Sequence, residues 1–196
     1  TAVSSSSSSP SPPLYRSTSV VQTALLTPPV WAAAAAVGLV VMLLLGYSLL
    51  TGPTAPPLPG DPVPPFQLTA FDGSAIDVSG QPGKVIVVNF FASWCDPCRQ
   101  EAADLEASWQ QYRERDVQFY AIAYKDAPSK AKTFIDEFGI TFPSGADTGN
   151  RIAHAYGLTG VPETFVIDQD GRLVRHFIGT VTGEELAREL DKLLSQ

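Results

Sequence analysis

Charge is almost missing from roughly the first third of the chain. Of the 13 Lys and Arg and 20 Asp and Glu in 196 residues, only Arg16 precedes Asp61. Cysteine is scarce too. Two residues, Cys95 and Cys98, are too few for the disulfide framework of a dense secreted scaffold. The two histidines, His154 and His176, are far from the three-to-five-residue spacing of finger ligands, so a zinc finger is excluded. A basic surplus is also lacking. Without Arg16, residues 61–196 hold 12 basic against 20 acidic side chains, a net of −8, a poor match for the phosphates of nucleic acid.

The uncharged first part divides in three. Residues 1–19 contain nine Ser and three Pro, too little apolar surface to offset chain entropy, so the segment 1–29 reads as a disordered tail. Residues 30–50 are 21 uncharged positions, about 31 Å long as a helix, against about 30 Å for a bilayer core. Trp31 and Tyr47 stand near the two ends, where amphipathic rings prefer the interface. The stretch is longer than a signal-peptide core of roughly 7–15 residues, and no polar face marks it as a core helix, so an uncleaved transmembrane anchor is expected. Arg16 on one side and Asp61, Asp72 and Asp77 on the other place the N-terminus in the cytoplasm and the rest outside. Residues 51–65 form a linker. Seven prolines within 53–65 predict a semi-rigid polyproline spacer.

The domain over 66–196 shows alternating strands and helices. Residues 66–71 and 75–78 flank Asp72-Gly73 as a hairpin. Residues 85–91, VIVVNFF, suit a central strand covered on both faces. Ala102, Leu105, Trp109 and Tyr112 recur at helical spacing, with Trp109 and Tyr112 expected in the core. A strand is expected over 117–124, a helix through Ala131, Phe134 and Phe138, and a short helix over 151–156. Strands over 164–168 and 173–178 follow. Thr182 and Glu185 form a capping box for a last helix that turns Leu186, Leu190 and Leu193 inward. This is an α/β fold with a mixed sheet flanked by helices.

The chemistry concentrates in Trp94-Cys95-Asp96-Pro97-Cys98, where a buried strand gives way to a helix. Two cysteines three apart on a helical turn can form a disulfide. At the helix N-terminus the dipole and free amides favour a thiolate at Cys95, the nucleophile of disulfide exchange. Cys98 lies a turn deeper as the resolving thiol. Pro97 fits the first turn, where its missing N–H costs nothing. A zinc site would need two more ligands, and an inert bridge closing so short a loop would stabilise little. A redox-active dithiol is the expectation. A peroxiredoxin would show Pro-x-x-x-Thr-x-x before its cysteine, and residues 89–94 hold neither Pro nor Thr.

The segment Val88-Asn89-Phe90-Phe91-Ala92-Ser93-Trp94-Cys95, the hairpin Phe66-Gln67-Leu68 to Asp72-Gly73, and Gly160-Val161-Pro162-Glu163-Thr164-Phe165 together resemble the membrane-anchored TlpA/ResA/DsbE (CcmG) branch of thioredoxin-like proteins, over about residues 61–196. The resemblance implies a thioredoxin-like fold with an N-terminal β-hairpin and a cis Val161–Pro162 bond facing the dithiol, the Val161 backbone pairing with an extended substrate strand; the bland alternative is an ordinary strand-leading proline. It matches Glu101 to a family glutamate near the active site, an acid/base for the Cys98 proton if it is not a solvated surface residue. Glu163 shapes the substrate groove or is exposed. Asn89 stands where thioredoxins have a buried Asp, and it cannot relay a proton. Trp94 is expected to pack over the disulfide, and His154 and His176 to lie on the surface.

The expected activity is thiol–disulfide exchange by Cys95 and Cys98 without metal or other cofactor. Asp96 and Glu101 oppose the helix dipole and disfavour the thiolate, which predicts a reductant; Arg99 could offset one carboxylate. The resemblance implies an exported client, apocytochrome c first, and a membrane electron donor of the CcdA or DsbD kind. A TlpA-type reductant for a copper-site assembly protein is the neighbouring reading. A copper metallochaperone is the reading from another class, disfavoured by the two-residue spacing between the cysteines.

Overall fold

The computed structural model describes residues 1, 30–50, 55–78, 81 and 83–195. Apart from Thr1, the tail expected over 1–29 lies outside the described residues, as do residues 51–54 of the linker. The chain divides into two units, Thr1–Leu49 and Leu50–Gln196. In the first, helix α1 (Val30–Leu50) occupies the 21 residues read as an anchor. Its side chains are described over 31–47, and among the described residues no helix is long and apolar enough to cross a membrane. The helix is shown; the expected transmembrane span is not.

The second unit starts with a hairpin, β1 (Gln67–Thr69) and β2 (Ala75–Asp77), paired antiparallel. Its turn follows from Asp72-Gly73: the Asp72 carboxylate accepts the Ser74 N–H at 2.8 Å, and Gly73 takes a φ of 87° that a side chain would resist. Strand β3 (Val85–Phe91) is buried at every residue. Helix α2 (Asp96–Tyr112) crosses over to β4 (Val117–Ala123), which lies parallel to β3. Helix α3 (Pro128–Glu137) leads to β5 (Ser144–Ala146), and the short α4 (Arg151–Ala155) to β6 (Glu163–Ile167). Strand β7 (Leu173–Ile178) and helix α5 (Gly183–Leu194) complete the chain. The five-stranded sheet has the order β5-β4-β3-β6-β7, with β6 and β7 antiparallel to their neighbours.

The alternation of β3 divides the interior. Val85, Val87 and Phe91 join α2, α3 and α5 in one apolar cluster; Ile86, Val88 and Phe90 join the hairpin and α4 in the other. Fully burying a Val, Leu or Phe contributes roughly 1.5–3 kcal/mol relative to exposure, so this two-faced strand is the main apolar anchor of the domain. Asn89 shares the parity of Val87 and Phe91, and is therefore carried onto the α2 face. The capping box of α5 forms as expected, with Leu186, Leu190 and Leu193 buried beneath it.

Strand β5 is absent from the sequence-based reading. It forms because β4 offers a parallel edge and the hairpin covers the other side: Phe71 N–H donates to the Ser144 carbonyl at 2.8 Å, and Ala70 bridges Gly145. A Cβ on Gly145 would lie 2.8 Å from the Thr69 carbonyl oxygen, a backbone atom that cannot turn away, so only glycine lets the hairpin come this close. On the opposite edge, Gly60 N–H donates to the Leu173 carbonyl at 2.7 Å and Leu173 N–H to the Asp61 carbonyl at 2.9 Å. A Cβ on Gly157 would stand 2.3 Å from the Pro56 nitrogen. From Pro56 on, the proline-rich segment lies against the domain instead of extending from it as a free spacer would.

Candidate active site

The end of β3 delivers the chain to the N-terminus of α2. Cys95 is the N-cap residue, in extended backbone, and its Sγ accepts the N–H of Cys98 at 3.1 Å. A cap oxygen usually fills this position; here a sulfur does, so a Cys95 thiolate would meet an amide already aimed at it. Cys95 and Cys98 are joined as a disulfide, with Cα atoms 5.3 Å apart. Cys98 was expected to be the deeper of the two, yet both residues are buried alike, 3 % and 2 % exposed. Position separates them: only Cys95 Sγ occupies the helix cap. Pro97 sits in the first turn as expected.

The loop leading into the dithiol is held by a residue that sequence reasoning missed. Asp126, just beyond β4, accepts the Ser93 N–H at 2.5 Å on Oδ2 and the Ser93 hydroxyl at 3.0 Å on Oδ1. The carboxylate thus reaches across to Ser93, and the Ala127 N-cap of α3 has no side-chain bond. Trp94 is 60 % exposed, its indole N–H donating to the Lys125 carbonyl at 3.2 Å. Arg99, the cation considered for offsetting a carboxylate of the dithiol turn, bonds instead to Glu137 and lies 4.9 Å over the Phe138 ring.

Glu101 is not a solvated surface residue. It is 2 % exposed, three residues after Cys98 on the buried face of α2. Its Oε1 accepts the Asn89 amide at 2.8 Å and its Oε2 the Val181 N–H at 2.9 Å. Asn89 in turn donates to the Thr164 hydroxyl at 2.9 Å. Burial pushes the Glu101 carboxyl up to about 7; the two donors pull it down, and Asp104 nearby adds to the rise. The polar side chains of Asn89 and Thr164 come from paired positions of β3 and β6. Asn89 thus serves as a donor that orients the carboxyl.

The Val161–Pro162 bond is cis. Val161 is half-buried and makes no backbone hydrogen bond among the described residues, whereas the Pro162 carbonyl accepts from Gly179 N–H at 2.9 Å. Glu163, next in sequence, is 1 % exposed. Its Oε1 accepts Thr159 N–H at 2.9 Å, the Thr159 hydroxyl at 2.5 Å and Gly160 N–H at 2.9 Å, and its Oε2 meets His176 Nε2 at 2.7 Å. Burial raises the Glu163 carboxyl, but the donors outweigh it and hold the group below its ordinary value. His176 is thus no surface residue: it is half-buried and stacked on Phe165 with ring centroids 4.0 Å apart. His154 is exposed, Tyr112 is buried, and Trp109 is half-buried against Phe119 and Phe142.

A protein-family model described as Redoxin matches residues 58–194. The chain belongs to the Redoxin family. Within it, the chain is 32 % identical over 134 residues to the thiol-disulfide oxidoreductase ResA of Bacillus thuringiensis, covering 68 % of this chain and 78 % of that protein. It is 35 % identical over 146 residues to the thiol:disulfide interchange protein HelX of Rhodobacter capsulatus, covering 73 % and 80 %. Among solved structures, a candidate thiol:disulfide interchange protein DsbE from Chlorobium tepidum superposes with a TM-score of 0.66 at 26 % identity, covering 70 % of this chain and 99 % of that one. The Redoxin domain here is thus a thioredoxin-like α/β fold, and its Cys95–Cys98 pair marks a thiol–disulfide oxidoreductase of the ResA/HelX/DsbE type.

Proposed function

We propose that the domain is a reductant for disulfides of exported proteins, held at a membrane by α1 with residues 61–196 on the extracytoplasmic side. The observation that carries the direction is the charge at the dithiol turn: an Asp96 carboxylate in the first turn of α2, with Arg99 paired to Glu137. The Cys95 cap would favour a thiolate, but the Asp96 carboxylate opposes it. A reduced form with little stabilisation gives up its electrons readily. The 21 uncharged residues of α1 and the lone Arg16 before them support the anchor and its orientation.

In the reducing cycle the Cys95 thiolate attacks one sulfur of the client disulfide, and the client's other sulfur leaves as a thiolate. Cys98 then attacks Cys95 Sγ, closing the Cys95–Cys98 bond and releasing the second client thiol. Cys98 must lose its proton in that step. Glu101, one helical turn away and roughly half ionised near pH 7, is the group to take it. The client lies along Val161, whose backbone pairs with an extended strand, with Trp94 beside the nucleophile; Glu163 belongs to the frame of that groove. Apocytochrome c, whose haem-binding cysteines must be reduced, is the client that the resemblance to the TlpA/ResA/DsbE branch implies. A membrane dithiol donor of the CcdA or DsbD kind returns the two electrons.

The deciding experiment is the equilibrium reduction potential of the Cys95–Cys98 pair. A value near thioredoxin's, about −270 mV, is expected; one near DsbA's, about −120 mV, would make the protein a disulfide donor. Trapping with Cys98→Ser, which stops the cycle at the mixed disulfide, should recover the client from the exporting cell. For the anchor, alkaline phosphatase fused after Gln196 should be active; a stable but silent fusion would put the domain on the cytoplasmic side.

A further inference from the structure

His176 lies on the edge strand β7, across the sheet face from the dithiol helix, and the cycle above leaves it idle. Its position is nevertheless specific. In the β6–β7 register Phe165 faces His176 and Glu163 faces Ile178, so Glu163 and His176 are diagonal neighbours on one face of the sheet. Phe165 holds the imidazole flat by stacking, and Nε2 closes on Glu163 Oε2 at 2.7 Å. The other oxygen of Glu163 gathers Thr159 N–H, Thr159 Oγ and Gly160 N–H. The carboxylate is thereby spent on the two residues just before Val161. Their amides are drawn inward, and Val161 is left as the first residue of the loop whose backbone makes no internal bond among the described residues. On the far side Gly179 N–H fixes the Pro162 carbonyl at 2.9 Å.

We infer that His176 is a positioning residue for client docking: by holding Glu163 Oε2 it aims Glu163 Oε1 at Thr159 and Gly160, and so presents the Val161 backbone as a preformed edge for an extended, disulfide-bearing segment. The inference rests on the proposed reading that clients dock at Val161. Without the His176 donor the buried carboxylate turns or draws in water, and the loop from Thr159 to Val161 loses its fixed shape. Docking then carries the cost of ordering that loop, while the sulfur chemistry at Cys95 and Cys98 is unchanged. The effect falls on binding.

The test uses the full chain in detergent, turning over a short synthetic peptide with a Cys-Ala-Ala-Cys disulfide, with dithiothreitol as the reductant that recharges Cys95 and Cys98. His176→Phe keeps a ring to stack on Phe165 but removes the donor. It should raise KM for the peptide about tenfold, the scale of a lost charge-assisted hydrogen bond, with a much smaller change in kcat. His176→Gln keeps an N–H and should restore most of the KM. Thr159→Val, a milder cut that removes only the hydroxyl donor, should shift KM in the same direction and serves if the Phe variant does not fold. Equal behaviour of the Phe and Gln variants, or a fall in kcat at constant KM, overturns the inference. A parent chain that fails to reduce the peptide at all would instead sink the reading on which it rests.

Discussion

Glu101 and Glu163 are both almost completely buried, on opposite faces of one sheet, and they shift in opposite directions. Glu101 is 2 % exposed and pushed up to about 7; Glu163 is 1 % exposed and held below its ordinary value. Both side chains are shut from solvent, but Glu101 is the more deeply enclosed and carries the heavier burial penalty; the donors separate the two further. Glu101 receives one N–H from Asn89 and one from Val181, whereas Glu163 receives three bonds from Thr159 and Gly160 and a fourth contact from His176. A carboxylate deprived of water needs its lone pairs filled to stay ionised. The under-supplied one becomes a group that can exchange a proton near neutral pH; the fully supplied one becomes a fixed ion that organises backbone.

The largest expected effect breaks the structural half of that contrast. Glu163→Ala would leave the half-buried Gly160 and His176 donors without their acceptor, while the exposed Thr159 turns to water. Loss of one member of a buried charged network costs about 3–5 kcal/mol, read as a drop in the denaturant midpoint. Glu101→Ala should cost clearly less, because removing the carboxyl also removes an ion that burial already disfavours. Equal losses from the two variants would show that the number of donors is not what distinguishes the sites.

The next effect is in the pH dependence of stability, and the signs differ. Glu101 has a folded pKa of about 7 against an ordinary value of 4.5, so the folded protein binds more protons than the unfolded chain between those limits. Its contribution therefore favours folding at low pH and is lost as pH rises through 7, by about 3 kcal/mol over the full window. Glu163, lowered, contributes stability above the ordinary carboxylate range that is lost as pH falls below it. Midpoints measured from pH 8 downward should thus rise towards pH 5 and fall in stronger acid. Glu101→Gln should flatten the first limb and keep the second. A parent-like first limb in that variant would mean the slope comes from other groups.

The same carboxyl should be visible in kinetics. If Glu101 takes the Cys98 proton, the rate of the resolving step should carry an inflection near pH 7 that Glu101→Gln removes, with a loss of about a hundredfold at neutral pH. Rapid-mixing measurement of mixed-disulfide decay from pH 5 to 9 reads this directly. An unchanged profile would leave Glu101 as a polar spacer in the core and break the functional half of the contrast.

Much of this site is legible in the sequence. The apolar run 85–91 announced a doubly covered strand, and its alternation alone carries Asn89 to the α2 face. The spacing of Ala102, Leu105, Trp109 and Tyr112 marks the inner face of α2, but it leaves Glu101 open between an acid/base and a solvated surface residue, and only the fold buries it. What stayed hidden were bonds between segments distant in sequence. Glu163 and His176 are joined only by the register of β6 with β7, and no local pattern encodes that register. Strand β5, Ser144–Ala146, lacks β-branched residues and exists because β4 and the hairpin supply its partners. The reach of Asp126 to Ser93 is likewise a tertiary fact that no local pattern signals.

Asp126 also offers the mildest variant with which to sharpen the comparison, since it is a third carboxylate that is only half-buried. It accepts Ser93 N–H, the Ser93 hydroxyl and Ala127 N–H, about as many donors as Glu163. If donors act mainly where water is excluded, loss of its charge should matter little. Asp126→Asn keeps one acceptor oxygen for the Ser93 amide, and water can serve the remaining groups. The expected cost is about 1 kcal/mol or less of stability, with the loop through Trp94 loosened. Amide exchange at Ser93 and Trp94 should quicken while the sheet stays protected. A loss approaching that of Glu163→Ala would show that donors govern carboxylates in this domain whatever their exposure, and the contrast between Glu101 and Glu163 would need a different cause.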